Sequence, residues 1–312
     1  MTNTAPMLET PPPFHHVSVM VEEITNAFAA AQGIVVDATA GGAGHASALL
    51  AAHPGISVFA FDRDPRAVEA ARHRLLPFGA RARVEQAVFS EIPERLAALG
   101  VDAIGGVLAD LGVSSEQLAD AERGMSFRLE GPLDMRMDPT RGETALELIA
   151  RLSQDELADV IYELGEERAS RRIARCIKQA LANGELETTL DLRRAVVRAV
   201  GPRRVGGVDP ATRTFQALRM QVNGELEELR SLLAFARVRL APGGIAAIIS
   251  FHSLEDRLVK REFAQRELWE RITPKPLTAS AEELENNPRS RSAKLRVARR
   301  RAGVRPEGAD AT

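Results

Sequence analysis

The stretch VVDATAGGAGHAS (Val35–Ser47) joins a short β-branched run to an acid, three glycines and the start of a helix-forming segment. An apolar run that ends in turn residues reads as a buried strand, Gly33–Thr39, and the glycines read as the tight turn into a helix. Such a turn lets a ligand approach the backbone closely at the carboxyl edge of a sheet. About 20 residues further on, where these folds place the acid that bonds ribose hydroxyls, Asp62 closes a second apolar run, SVFAFDRDP (Ser57–Pro65). An adenosine-containing ligand follows. The dinucleotide fingerprint G-x-G-x-x-G is met at only two of three places, with Gly42, Gly44 and Ser47, and no G-K-[ST] completes a phosphate loop. Asp37 stands just before the glycines. A carboxylate there suits the cationic methionine end of S-adenosylmethionine and is unwelcome beside a pyrophosphate at a helix N-terminus.

Outward from this turn the same grammar repeats. RARVEQAVFSEI reads as a third strand, DAIGGVLADLG (Asp102–Gly112) as a fourth, and LAPGGIAAIISFHS as a turn followed by a fully apolar strand, Ile245–Phe251. Strands alternating with helices imply right-handed crossovers and a mostly parallel, doubly wound α/β sheet buried on both faces. From Ser115 to Thr212 the β-branched runs vanish. SQDELADVIYELG opens with a capping box, Ser153 with Glu156, carries Leu157, Val160, Ile161 and Leu164 on one face, and meets Gly165 where a C-cap belongs. The expected organisation is a Rossmann-like domain in two segments, 1–114 and 213–277, a helical insertion at 115–212, and a polar, then basic, C-terminal tail at 278–312.

Composition narrows the class. The chain has 312 residues, is 45% hydrophobic, carries a formal charge of −2 and holds a single cysteine, Cys176. It can bury a large core, forms no internal disulfide, and offers no global field for a polyanion, so nucleic-acid contact must come from local patches. No secretory signal or bilayer-spanning run is visible, and a cytoplasmic location is expected. The six histidines are scattered, so no metal set is assembled from spacing.

Four motifs then carry a resemblance: ADLGVSSEQLADAERGMSFRLEGPLDMRMDP (Ala109–Pro139), HHVSVMVEEI (His15–Ile24), ATRTFQALRMQVNGEL (Ala211–Leu226) and ISFHSLEDR (Ile249–Arg257). With the tail NPRSRSAKLRVARR they make the chain closely similar to the bacterial 16S ribosomal RNA cytosine-N4 methyltransferases, from about residue 16 onward. The resemblance implies a class I S-adenosylmethionine-dependent methyltransferase sheet with a helical insertion, and methyl transfer to the exocyclic N4 of a decoding-centre cytosine in the small ribosomal subunit. It also implies cofactor positions at Ala43, Gly44, His45, Asp62, Phe89, Asp110 and Gln117. The loop departs from the family's usual pattern at Ala40, Gly41, Gly42 and Ala43.

Amine methylation needs an oxygen or nitrogen that accepts one N–H bond and aligns the lone pair with the sulfonium methyl. Asp110, Ser114, Asn223 and His252 are the candidates, and the sequence leaves the choice open. Cys176, on an insertion helix, argues against the covalent cysteine route used for carbon-5 methylation. RNA contact falls to RASRRIARCIK, GPRRVGG and PRSRSAKLRVARRR, the last with seven basic residues in fourteen. The rival readings are a non-catalytic small-subunit assembly factor that retains the fold, and a dehydrogenase. The sequence leaves a homodimer open.

Overall fold

The computed structural model describes residues 18–202 and 208–302. His15, His16 and the GPRRVGG arginines, Arg203 and Arg204, lie outside the described residues, as does the chain beyond residue 302. Seven strands form one sheet in the order β3-β2-β1-β4-β5-β7-β6. They are β1 (Gly33–Asp37), β2 (Ile56–Asp62), β3 (Ala82–Gln86), β4 (Ile104–Asp110), β5 (Leu240–Ser250), β6 (Trp269–Arg271) and β7 (Lys294–Arg300). The first five are mutually parallel, and β7 alone runs antiparallel to its neighbours β5 and β6. This is the class I methyltransferase sheet that the motifs imply.

The chain leaves β1 toward β2 and β3 on one side and later fills β4 and β5 on the other. β1 and β4 therefore flank the topological switch point, where ligands of open α/β sheets bind. Helices α1 (Val21–Ala27), α2 (Gly44–Ala52) and α3 (Pro65–Leu75) belong to the first half, and α4 (Ile92–Ala98) precedes β4. Two apolar clusters sandwich the sheet, one around Phe28, Leu49 and Leu108, the other around Phe61, Val107, Leu232 and Trp269. Both strand faces are buried, which is why these strands read as continuous apolar runs rather than alternating ones.

Beyond β4 come α5 (Ser115–Ala119), α6 (Ala145–Arg151), α7 (Gln154–Gly165), α8 (Ser170–Ala182), α9 (Thr189–Val200) and α10 (Thr212–Asn223). Leu148, Leu157, Ile161, Ile173, Leu192 and Val196 form a third, separate core. Ala211, Phe215 and Leu218 are buried in that same core, so α10 packs with the helical unit and carries it past the Thr212 limit expected from the sequence. The capping box is present: the Ser153 hydroxyl accepts from the Glu156 N–H and the Glu156 carboxylate accepts from the Ser153 N–H. An N-cap of this kind contributes about 1 kcal/mol. The C-cap differs from expectation. Glu166, not Gly165, takes the left-handed conformation (φ 50°). Gly165 is required for contact instead, because a Cβ there would lie 2.8 Å from the Arg213 carbonyl oxygen on α10.

Chain direction reverses again at Gly224 (φ 59°), which caps α10 and starts α11 (Glu225–Arg239). After β5 follow α12 (Ser253–Glu262) and α13 (Ala281–Asn286). The described part of the segment expected to be a tail is ordered instead, contributing α13, a 3₁₀ turn and the sheet strand β7. In β7, Leu295 and Val297 are buried, Arg296 is paired with Asp256 (2.6 Å), and Arg299 is paired with Glu270 (3.2 Å). Lys294, Arg296 and Arg299 stand beside acids and Arg300 donates to the Arg237 and Leu268 carbonyls, so β7 carries less free positive charge than its composition suggests.

Candidate active site

The carboxyl ends of β1, β2 and β4 converge on one cavity, which Asp62, Phe89, Asp110, Ser114, Gln117 and the backbone of residues 38–41 line. Thr39 ties two of these strand ends together. Its hydroxyl accepts from the Asp110 N–H (2.6 Å), while its own N–H donates to Asp37 Oδ1 (3.1 Å). Asp62 is held just as firmly, with Oδ2 accepting from the Gly41 N–H (2.8 Å) and Oδ1 from the Asp64 N–H (2.9 Å). Its carboxylate thus faces the cavity in one orientation, with lone pairs left for hydroxyl donors. Burial pushes the Asp62 pKa up to about 6 against the pull of those two backbone N–H groups.

The glycine turn works differently from the expectation. Ala43 takes a left-handed conformation (φ 56°) as the N-cap of α2, and both it and Gly44 lie outside the cavity lining. The loop face that meets the cavity is Ala38–Gly41, followed by the His45 ring. Gly44 has a steric reason to lack a side chain: a Cβ would lie 2.0 Å from the Ser18 hydroxyl oxygen.

Asp37, His45 and Asp110 form a buried charged cluster beside the cavity. His45 is 4% exposed and its Nε2 lies 3.5 Å from Asp110 Oδ2, at the outer limit of an ion pair. Asp37 is 1% exposed and does not itself line the cavity. Burial drives the Asp37 pKa up to about 7; the charge of His45 opposes the shift and those of Asp110 and Asp62 add to it. Burial also opposes protonation of His45, but the neighbouring Asp110 and Asp37 outweigh it and raise its pKa. Asp37 Oδ2, Asp110 Oδ1 and both His45 ring nitrogens have no hydrogen-bond partner. A buried polar atom without a partner costs roughly 1–3 kcal/mol, so this corner fits a ligand that brings donors and positive charge. The ammonium and sulfonium of S-adenosylmethionine are such groups.

A second network lies behind Asp62. Asp64 caps α3 by accepting from the Arg66 N–H (3.0 Å), with Pro65 at the first helical position. Its carboxylate takes both bonds of the Arg123 Nη2 group (2.7 and 2.9 Å) and one from Gln117 Nε2 (2.9 Å). Gln117 also completes a capping box with Ser114 at the start of α5. Arg123 Nη1 donates to the Met137 carbonyl (2.9 Å), and Met137 lines the cavity.

Two expected acceptor-orienting residues are committed elsewhere. The Asn223 amide donates to the Met135 and Arg219 carbonyls and accepts from the Met137 N–H, all at 2.8 Å. It clamps the insertion against the post-β4 segment and does not line the cavity. His252 caps α12, with Nε2 3.1 Å from Glu255 Oε1, and is likewise outside the lining. Asp110 and Ser114 remain beside the cavity.

The cavity lining also takes in Arg63, Glu225, Glu228, Phe251 and Asn287, which sequence reasoning does not single out, and Arg289, which it places in the basic run PRSRSAKLRVARRR as an RNA contact. The Asp64 cap was legible in the D-P pair, whereas Arg289 comes from a segment remote in sequence. Glu225, His252 and Glu255 lie close enough to share an ion. Their groups are already engaged, because Glu225 holds Arg219 through both oxygens and Glu255 accepts from the Phe251 N–H.

Across the other face, Glu166 of the insertion accepts from the Ser253 hydroxyl (2.5 Å) and from Arg257 (3.0 Å), joining α7 to α12. On α8, Arg171, Arg172 and Arg175 are exposed, as is Arg168 just before it. Lys178 donates instead to the Ile149 carbonyl. Among the described residues no helix is long and apolar enough to cross a membrane.

Residues 13–301 match the model of the MraW methylase family. Ribosomal RNA small subunit methyltransferase H of Sorangium cellulosum (strain So ce56) is 60% identical over 310 residues, covering 97% of this chain and 98% of that protein. The protein of the same name from Synechococcus sp. (strain WH7803) is 52% identical over 299 residues, covering 93% and 96%. That from Prochlorococcus marinus (strain MIT 9303) is 50% identical over 295 residues, covering 92% and 93%.

Proposed function

Because the chain belongs to the MraW methylase family, we propose that it transfers a methyl group from S-adenosylmethionine to the exocyclic N4 of a cytosine in 16S ribosomal RNA of the small subunit. The observation that carries this reading is the buried Asp37–His45–Asp110 corner with its unpartnered polar atoms, set beside an Asp62 carboxylate fixed for ribose hydroxyls. The cofactor supplies an electrophilic methyl on a sulfonium. The chain's part is to bind, orient and exclude water.

Asp62 accepts from the ribose, Phe89 lies against the adenine, and Gln117 and Ser114 hold the wall where β4 ends. Asp110 or Ser114 accepts one N–H bond from the acceptor amine, which aligns the other lobe of the nitrogen with the methyl group. The new N–CH3 bond replaces the S–CH3 bond, and S-adenosylhomocysteine is left. The nitrogen's surplus proton passes to the accepting oxygen or to water, so no proton relay is needed. A cytosine must leave its stack or already be unpaired to enter a cavity at a sheet edge. Arg168, Arg171, Arg172 and Arg175 on the insertion serve as the phosphate-binding surface that holds the surrounding RNA.

The test uses the full chain, methyl-labelled S-adenosylmethionine and small subunits that lack native methylation, followed by nucleoside analysis. Label is expected in N4-methylcytidine. Cofactor binding without label would instead favour an assembly factor that keeps the fold.

A further inference from the structure

Arg289 stands on the 3₁₀ turn Pro288–Ser292, between α13 and β7, and reaches the rim of the cofactor cavity. Its backbone is firmly placed. Asn287 and Ser290 are buried, the Ser290 hydroxyl donates to the Asn287 carbonyl (2.7 Å), and Ala293 leads directly into the buried strand β7. From α13, Glu283 accepts from the Met20 N–H (2.7 Å), which fastens this segment to the N-terminal side of the site. The side chain itself is exposed, and among the described residues it has no hydrogen bond or ion pair.

Arg291, on the same turn, is likewise exposed and without a partner among the described residues, but it lies outside the cavity lining, whereas Arg296 and Arg299 of β7 are both paired. Within the cavity Arg289 stands apart, because the lining holds five carboxylates and only one other guanidinium. That other one, Arg63, donates to the Asn223 carbonyl (2.8 Å). A lining so rich in carboxylates suits a cationic cofactor but repels an RNA strand unless a cation guards the entrance.

We propose that Arg289 is a positioning residue that clamps the phosphate of the acceptor nucleotide as its base enters the cavity. The inference rests on the RNA-methylating function proposed above. The carboxylate of the cofactor's methionine is the other anion of suitable chemistry. Position favours the phosphate. The atoms that await the amino-acid end are the buried ones of Asp37, His45 and Asp110, whereas Arg289 is on the solvent side. A nucleotide whose base occupies the cavity keeps its own phosphate at the rim. The planar guanidinium fork can then take two phosphate oxygens, and its anchored backbone limits the ordering cost.

Arg289→Ala in the full chain tests this, with wild-type protein assayed in parallel on unmethylated small subunits. The Michaelis constant for subunits should rise about tenfold, the scale of one charge-assisted contact. The slope of log affinity against log salt should shrink by roughly one. Affinity for S-adenosylhomocysteine, read by calorimetry, should stay within about twofold, and the melting temperature should hold because the side chain is exposed. Weakened S-adenosylhomocysteine binding, with subunit affinity unchanged at saturating cofactor, would assign the guanidinium to the methionine carboxylate and overturn the proposal. So would a variant indistinguishable from wild type. Failure of the wild-type protein itself to transfer label would strike at the function rather than at this residue.

Discussion

Replacing Arg123 by methionine should damage both the fold and the cofactor site, and the structure sets the scale. Arg123 and Asp64 are both buried, joined through two oxygens at 2.7 and 2.9 Å. Methionine keeps most of the side-chain bulk but leaves the Asp64 carboxylate buried with only Gln117 and a backbone N–H as partners. Breaking one side of a buried pair costs about 3–5 kcal/mol. For a chain of this size that corresponds to a melting temperature lower by roughly 5–8 °C. The loss should extend to cofactor affinity, since the Asp64 N–H holds one oxygen of Asp62 and Gln117 lines the cavity. Adding Asp64→Asn removes the stranded charge while keeping an oxygen that can cap α3, so the double variant should recover part of the loss. Denaturant unfolding of the four proteins yields the coupling energy, and calorimetry with S-adenosylhomocysteine gives the affinities. Strict additivity, or a loss below about 1 kcal/mol in Arg123→Met, would refute the account of a charge that needs its partner. A large stability loss with unchanged affinity would make the pair a staple with no bearing on the site.

Two further expectations follow from the carboxylates. Asp62→Ala should weaken S-adenosylhomocysteine binding by about tenfold or more through the loss of charge-assisted bonds, with unchanged circular dichroism; unaltered affinity would mean the ribose lies elsewhere. In the unliganded protein Asp37 and Asp62 titrate near 7 and 6, pushed up by burial. Their native values lie above the ordinary unfolded value of 3.8, so the folded chain binds these protons more tightly. By these groups alone, unliganded stability should rise as pH falls from about 7 toward 4. Cofactor affinity should run the other way, weakening by about tenfold per pH unit per carboxylate below pH 6, with proton release on binding near pH 7. Calorimetry in buffers of different ionisation enthalpy checks this, and pH-independent affinity between 5 and 8 would contradict it.

The parts of the fold that were legible share one property: their signals are local. β1, β2 and β4 are short β-branched runs closed by an acid and a turn, and the α7 box is contained within four residues. The misread parts depend on distant partners. KLRVARR looks like a solvated basic run until Asp256 and Glu270 are brought beside Arg296 and Arg299. Only then can Leu295 and Val297 be buried, at roughly 1.5–3 kcal/mol each, with their neighbouring charges paired. The same physics hid α10, whose apolar face finds its core among helices nearer the middle of the chain. Asn223 and His252 carry chemistry suited to an acceptor amine, but two carbonyls and an N–H claim the first and a helix N-terminus claims the second. Residue type alone does not reveal which groups the backbone has already engaged.

Unsatisfied groups separate function from architecture where residue type does not. Eight buried side-chain atoms among the described residues lack a hydrogen-bond partner, and five of them belong to Asp37, His45, Arg63 and Asp110. Random imperfections of packing would scatter such atoms through all three cores. Their concentration at the switch point of the sheet marks a place where the fold sacrifices stability for binding, since each lone buried group costs free energy that a matching ligand restores. The signs of the groups define that ligand further. Two acids flank one histidine at the inner end, an acid with spare lone pairs faces the middle, and an unpaired arginine stands at the rim. A ligand with an ammonium and a sulfonium for the acids and ribose hydroxyls for Asp62, met at its methyl group by a nucleotide whose phosphate stays at the rim, satisfies all three. S-adenosylmethionine with an RNA nucleotide at its methyl has those groups, whereas a dinucleotide would place its pyrophosphate against the acids.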